Sequence, residues 1–410
     1  MRTTVAAFVE DFLAEGPDVV AANIADRAGV GGVSIAAAYH DSRDVFPHDP
    51  VHRVRFAEPG TVLFHPDFRR YGSSGLRPRV ARVSHERDAF RDSCAAARRR
   101  GLEVTAWTVF LHTDRGRELV DLAPENAFGD RYLTDLCPAR PQVRDYAVAL
   151  AGDVAATGIT TVDAESLHHA PFDHGGHHER CFVPLGETAR FLLSLCFCPS
   201  CLSRSAADGV DGERVRETVR RAVDAAMSGG AEPPLDQAGL GDLAGGEMGG
   251  YLAARTATVT ELVEEVRASV AAEGARLSFC DLSGALKGYA SGSPDGDAAA
   301  ASSWTLGVDL PALAAAGVTI GALGYTHDPE RLRGDLDAYR RLLGGRPFGL
   351  TLRPMPPDTA SARNLAQKVA TAAAFPVSQL SFYHYGLAQL SALDWIREAL
   401  GSLGHAGTQD

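Results

Sequence analysis

Apolar runs and amphipathic stripes alternate along most of this chain. Residues 5–28 predict a helix, with Phe8, Phe12, Val19, Val20 and Ile24 as its apolar contacts. The glycine-punctuated run 33–38 predicts a first strand, and TVLFHPD (61–67) a second. An Arg-rich helix over 85–100 precedes LEVTAWTVFLH (102–112), the third strand. A helix over 140–156 leads into GITTVDAES (158–166), a fourth strand that ends in acids. Helices follow over 211–227, with Val215, Val219, Val223 and Met227 on one stripe, and over 251–272. In the latter, Leu252, Thr256, Val259, Val263, Val266 and Val270 recur at spacings of four and three. The runs 276–282, 318–325, 348–354 and 380–386 predict four more strands.

Eight strands with intervening helices predict an α/β fold, a (β/α)8 TIM barrel. The whole chain, 1–410, reads as one such domain, with insertions at about 41–84, 166–208, 228–250 and 283–303. A doubly wound open sheet is the rival. It lacks its phosphate cradle here, since neither GxGxxG nor GxxxxGK[ST] occurs, and GVGG (29–32) precedes a strand rather than a helix.

Composition narrows the class. An apolar content of 45% excludes disorder, and no apolar run approaches the roughly 20 residues of a membrane span. The acidic first turns of MRTTVAAFVEDFLAEG do not read as a secretory signal, so a cytoplasmic protein is expected. The net charge of −12 argues against nucleic acid and anionic membrane as partners, and leaves a homo-oligomer open. Seven cysteines, an odd number, argue against a disulfide framework.

In a barrel, chemistry gathers at the C-terminal ends of the strands. Those ends carry Tyr39, His40, Asp41, Arg43 and His48, then Trp107, His112 and Asp114, then Asp163 and Glu165. Further on come Asp281, then Tyr325, His327 and Asp328, then Arg353, then Tyr383, His384 and Tyr385. Carboxylates bind hydroxyls and aromatic faces cover the C–H surface of a sugar ring. Glu165, at the end of an apolar strand, is the expected general acid, because burial raises a carboxyl pKa. Asp163 lies two residues earlier and shares its face. Asp281 is the preferred second carboxylate, followed by Asp163, Asp41 and Asp328. Tyr39, His40, Arg43, His48, Trp107, His112, Tyr325, His327, Arg353, Tyr383 and His384 are the expected pocket lining.

Cys196, Cys198 and Cys201 stand in the pattern C-x-C-x2-C, three ligands of a tetrahedral structural zinc site, with Cys137 and Cys181 as candidates for the fourth. The segment HHAPFDHGGHHER (168–180) holds five histidines and admits a catalytic metal, which would make the protein a metal-dependent hydrolase. No HExxH and no GxSxG occurs.

Three features together resemble the barrel glycoside hydrolases, especially the family 42 β-galactosidases and related hypothetical glycosyl hydrolases. The segment FGDRYLTDLCPARPQVRDYAVAL (128–150) is similar to that family's stretch around a cysteine before strand four. Glu165 matches its acid/base position, and Cys196, Cys198 and Cys201 match its cysteine knot. The resemblance implies structural Zn2+ on Cys137, Cys196, Cys198 and Cys201. It also has departures. Ala164 stands where the family has Asn, and the strand-seven nucleophile is missing, with Arg353 there instead. The expectation is therefore a glycosidase-like enzyme acting on a small sugar or glycoside. Elimination, isomerisation or rearrangement of a sugar-like substrate, or a non-catalytic sugar-binding barrel, are the alternatives.

Overall fold

The computed structural model describes residues 1–72, 75–173 and 180–406. Eight parallel strands form its centre: β1 (Arg2–Ala7), β2 (Gly32–Tyr39), β3 (Glu103–Val109), β4 (Thr161–Glu165), β5 (Arg276–Asp281), β6 (Thr319–Leu323), β7 (Phe348–Leu352) and β8 (Val377–Phe382). Each pairs with the next in sequence, and β1 pairs with both β2 and β8, so the sheet closes. Helices follow the strands and cover the outside, as the alternating pattern predicts for a (β/α)8 barrel.

Two strand assignments differ from the sequence reading. The segment read as the start of a helix begins with β1, and the helices Val9–Glu15 and Pro17–Ala22 come after it. Phe8 and Phe12 share helical spacing, but only the ladder to Gln379–Phe382 on one side and Gly32–Ile35 on the other makes residues 2–7 a strand. Conversely, the 61–67 run supplies only Thr61–Val62, antiparallel to β2 and outside the barrel. Its apolar Leu63 and Phe64 are buried beside helix Ala89–Arg99, where Phe64 meets Phe90 at 6.3 Å.

Side chains alternate across each strand, and the register fixes which set faces inward. Trp107 is level with Asp163, Val109 with Glu165, and Asp163 with Ser278. Asp163 and Glu165 therefore point into the barrel together with Ser278 and Cys280, while Leu277, Phe279 and Asp281 point out toward the helices. Small residues at Ala6, Ser34, Ala36, Cys280, Gly321 and Gly349 also fall on the inward-facing set.

Two insertions shape the mouth. The first holds a hairpin, Ser42–Val45 paired with Val54–Ala57. It is anchored from below: Arg55 bonds Asp11 at 2.8 Å and Asp49 at 3.1 Å and lies 3.5 Å over the Phe46 ring. The second, between β4 and β5, carries helices Glu187–Ser194, Pro199–Ala207 and Gly212–Met227, which pack on the long helix Glu247–Ala272 around a separate apolar core. Val215, Val219 and Val223 are buried there as their spacing predicts. Met227 is exposed and Ala226 takes the buried place.

Candidate active site

Glu165 ends β4 at the barrel mouth. Trp107 Nε1 donates to its Oε2 at 2.7 Å. Its carboxyl is pushed up to about 7, chiefly by burial, with the Asp163 charge adding to the rise; the Trp107 hydrogen bond and the nearby His112 charge act the other way. At neutral pH the group is then poised between acid and base. Asp163 lies one inward step deeper and is also raised by burial, against a hydrogen bond from Ser278. Ser166, directly after Glu165, has a left-handed backbone with φ 54°. The strand end is held by Phe110 N donating to Glu165 O at 2.9 Å and Leu111 N to Ser166 O at 3.2 Å.

An aromatic wall surrounds this carboxyl. Trp107 meets Tyr39 at 4.9 Å, Tyr383 at 5.7 Å and Phe8 at 5.7 Å between ring centroids. Burial raises the pKa of both Tyr39 and Tyr383. His384 packs 4.1 Å from Phe8. Its Nδ1 accepts from Gly386 N at 3.1 Å, so Nε2 carries the proton, and that buried Nε2 has no hydrogen-bond partner among the described residues. Such a donor suits a substrate hydroxyl. Tyr325 lies 6.3 Å from Tyr383. The Arg353 guanidinium sits 4.3 Å from the Tyr325 ring and 5.0 Å from the Tyr289 ring, while Asp358 grips it through two bonds of 2.5 and 2.7 Å. Arg353 thus positions two tyrosines, its charge already matched.

His40 and His112 stand on the neighbouring wall, 4.8 Å apart. Burial acts most strongly on His112 and lowers its pKa, but the charges of Asp135, Asp114 and Glu165 outweigh it and lift the imidazole to about 9.

Several expected site residues are not brought to the mouth. Asp281 is fully buried in the outer layer. Its oxygens accept from Ser283 Oγ (2.6 Å), Ser303 Oγ (2.9 Å) and Tyr339 Oη (2.6 Å). The parity of β5 turns it outward, so the structure does not bring the preferred second carboxylate to the mouth beside Glu165. His48 is tied to Glu15 at 2.9 Å and to the Tyr385 carbonyl at 3.0 Å, under the hairpin. Arg43 is exposed, because hairpin alternation turns it away while Asp44 faces in. His327 is exposed and bonds the Gly292 carbonyl at 2.8 Å. Asp328 caps helix Pro329–Leu342 by accepting from Glu330 N at 2.9 Å.

Asp44 and Tyr289 were missed by sequence reasoning. Burial raises the Asp44 carboxyl, and its charge is felt at Tyr39, Tyr383 and Tyr289. Alternation in RDV was the one available signal for Asp44. A cavity of about 530 Å3 opens beside it, lined by Phe8, Tyr39, Phe46 and Phe56 among others.

Cys137, Cys196, Cys198 and Cys201 come together as a buried group that can hold a metal ion. Cys137 Sγ lies 3.5 Å from Cys201 Sγ and 3.7 Å from both Cys196 and Cys198. A tetrahedral ion with 2.3 Å metal–sulfur bonds needs edges of about 3.8 Å, so the four sulfurs fit. Glu125 N donates to Cys196 Sγ at 3.3 Å. Cys181 is exposed and elsewhere. Of the His-rich segment, His168 and His169 are buried, with both pKa values lowered chiefly by burial, as suits neutral rings. His174, His177 and His178 lie outside the described residues.

No protein-family model matches the chain, and no curated protein matches it. Among solved structures it is similar to the catalytic domain of a β-amylase from Paenibacillus polymyxa, with a TM-score of 0.56, 10% identity and 98% of each chain covered. It is similar to a β-galactosidase from the psychrophilic Marinomonas ef1 at TM-score 0.56 and 10% identity, over 100% of this chain and 61% of that one. A cold-adapted β-galactosidase from Rahnella sp. R3 matches at TM-score 0.56 and 14% identity, over 99% and 56%. The chain spans less than two thirds of the length of either β-galactosidase. At these identities the likeness establishes a shared (β/α)8 architecture with barrel glycoside hydrolases.

Proposed function

We propose that this protein is a carbohydrate-active barrel enzyme, acting on a small sugar or glycoside with Glu165 as general acid or acid/base. The observation that carries the reading is the Glu165 carboxyl, raised to about 7 and held by Trp107 within a mouth of aromatic rings. A group of that pKa can protonate a leaving oxygen and then accept a proton from water near neutral pH. The aromatic wall would cover the sugar's C–H face, and the His384 Nε2–H would bind a hydroxyl. Glycosidic hydrolysis needs a second carboxylate, and Asp163, Asp41 and Asp44 are the candidates for it. The barrel shared with a β-amylase and β-galactosidases supports this reading at the level of fold.

The absence of a carboxylate at the end of β7, where Arg353 is locked by Asp358, favours a second reading. In it Glu165 moves a proton in a non-hydrolytic reaction of a sugar, such as isomerisation or elimination. The four-cysteine group takes structural zinc, which would tie the segment before helix Pro141–Ala155 to the helical insertion and take no part in the reaction. Free thiols and a thiolate-bound ion suit the cytoplasm, and the net charge of −12 disfavours nucleic acid. No helix of the described residues is long and apolar enough to cross a membrane.

The test is turnover of a panel of aryl glycosides and free sugars by the wild type and Glu165→Gln. A loss on the order of 100-fold or more supports proton transfer by Glu165. Undiminished turnover by the variant would refute it. The product class, hydrolysed or isomerised, separates the two readings.

A further inference from the structure

Beside Glu165 the mouth carries a group of side chains that the proton-transfer reading does not use. His40 follows β2, and His112 and Asp114 follow the neighbouring β3. One ligand atom from each lies within 4.8 Å of the others. His112 Nε2 is 3.7 Å from Asp114 Oδ2. An ion with bonds of about 2.0–2.2 Å separates adjacent ligand atoms by about 3.0–3.5 Å, so the three groups need draw together by only about 1 Å.

The far nitrogen of each imidazole is already held. His40 Nδ1 lies 2.6 Å from the Asp41 carbonyl oxygen, and His112 Nδ1 3.3 Å from Asp135 Oδ1. Metal-binding histidines are oriented in this way, an acceptor on one nitrogen turning the other to the ion; on His112 the ion would displace the second proton that the neighbouring carboxylates otherwise favour. Asp114 is set with equal care. Its backbone is left-handed, φ 52°, and its Oδ2 accepts from Asp41 N at 2.8 Å. The loop that carries it is laced to the next segment, with Thr113 N and Asp114 N both donating to the Thr134 carbonyl at 2.8 and 3.0 Å. Gly116 completes the lacing, since a Cβ there would stand 1.8 Å from the Leu133 carbonyl oxygen. A strained backbone kept by its surroundings is characteristic of functional sites.

Two imidazoles and one carboxylate on one side of an ion leave positions open on the other. We propose that His40, His112 and Asp114 bind a divalent transition-metal ion whose open positions take adjacent oxygens of the sugar. The role toward sugar rests on the reading of the mouth given above; the binding of the ion does not. The site is chemically distinct from the four-cysteine group, nitrogen and oxygen donors against thiolates. The ion would hold the sugar in register with Glu165 and polarise a bound hydroxyl or carbonyl.

The experiment is a Co2+ titration of zinc-loaded protein, followed by visible absorption, with metal content measured after desalting. One further ion per chain is expected, showing weak nitrogen- and oxygen-type bands without the intense near-ultraviolet band of a cobalt thiolate. His40→Gln and Asp114→Asn should each weaken this binding at least tenfold. Glu165→Gln should leave it in place. Asn tolerates the left-handed backbone at 114. Should that variant nevertheless unfold by circular dichroism, His40→Gln alone decides. No saturable ion outside the thiolate group, or binding indifferent to the folded variants, would overturn the proposal. Turnover by Glu165→Gln is read separately, so either idea can fail alone.

Discussion

The Trp107 indole donates to Glu165 Oε2 at 2.7 Å from one strand of the barrel to the next. That bond favours the charged carboxylate and so opposes the rise that burial imposes. Trp107→Phe removes the donor while keeping a ring. The Glu165 pKa should climb further, on the order of one unit. If Glu165 must be protonated to act, rate falls as pH rises through about 7 in the wild type. In the variant that falling limb moves to higher pH. A pH profile of kcat/KM checks it.

The same carboxyl links pH to stability. Its folded pKa, about 7, stands above the ordinary 4.5. The stability this represents is fully present below about 4.5 and is lost as pH rises through 7. Glu165→Gln has no charge to bury, so it should gain on the wild type across that window. The gain at pH 8 should be about 1–2 kcal/mol, discounted because the mouth admits water. Melting temperatures at pH 5 and pH 8 measure it; an equal difference at both would contradict the assignment.

Asp281 should behave as a structural residue. Asp281→Asn replaces an acceptor of three hydroxyls, from Ser283, Ser303 and Tyr339, with a group that also donates. A loss of about 1–3 kcal/mol in denaturant unfolding is expected. Any fall in turnover of the folded variant should be small beside that of Glu165→Gln.

Hairpin alternation sets Asp44 against Arg43. Asp44→Asn should lower turnover by on the order of 100-fold if it is the second carboxylate. Arg43→Ala, on the opposite face, should stay within about twofold. Asp163→Asn assayed beside them assigns the role.

If the four-cysteine group holds zinc as proposed, removing it should loosen the helical insertion, which packs around its own core. Cys198→Ser or a strong chelator is expected to lower the melting temperature, whereas Cys181→Ser should leave it unchanged. Zinc content by mass spectrometry should fall with the first and hold with the second.

Apolar periodicity in the sequence determined the alternation of strands and helices, and the helices over 211–227 and 251–272 lie where their spacing puts them. It also determined that Asp163 and Glu165 share a face, since that follows from a period of two. The C-x-C-x2-C spacing determined that three thiols lie together. Other features were decided only by the tertiary structure. Residues 2–7 are a strand because β2 and β8 flank them, a fact no local pattern contains. Asp281 faces outward because barrel register, and not its place at a strand end, sets its side. Only the family resemblance implies Cys137 as the fourth ligand, since no local spacing joins it to the other three; its place beside them, like the meeting of His40 with His112 and Asp114, brings together segments far apart in the chain. Local sequence encodes conformational preference, but a site is a set of distances across the fold, and those are fixed by closure of the sheet and packing of its insertions.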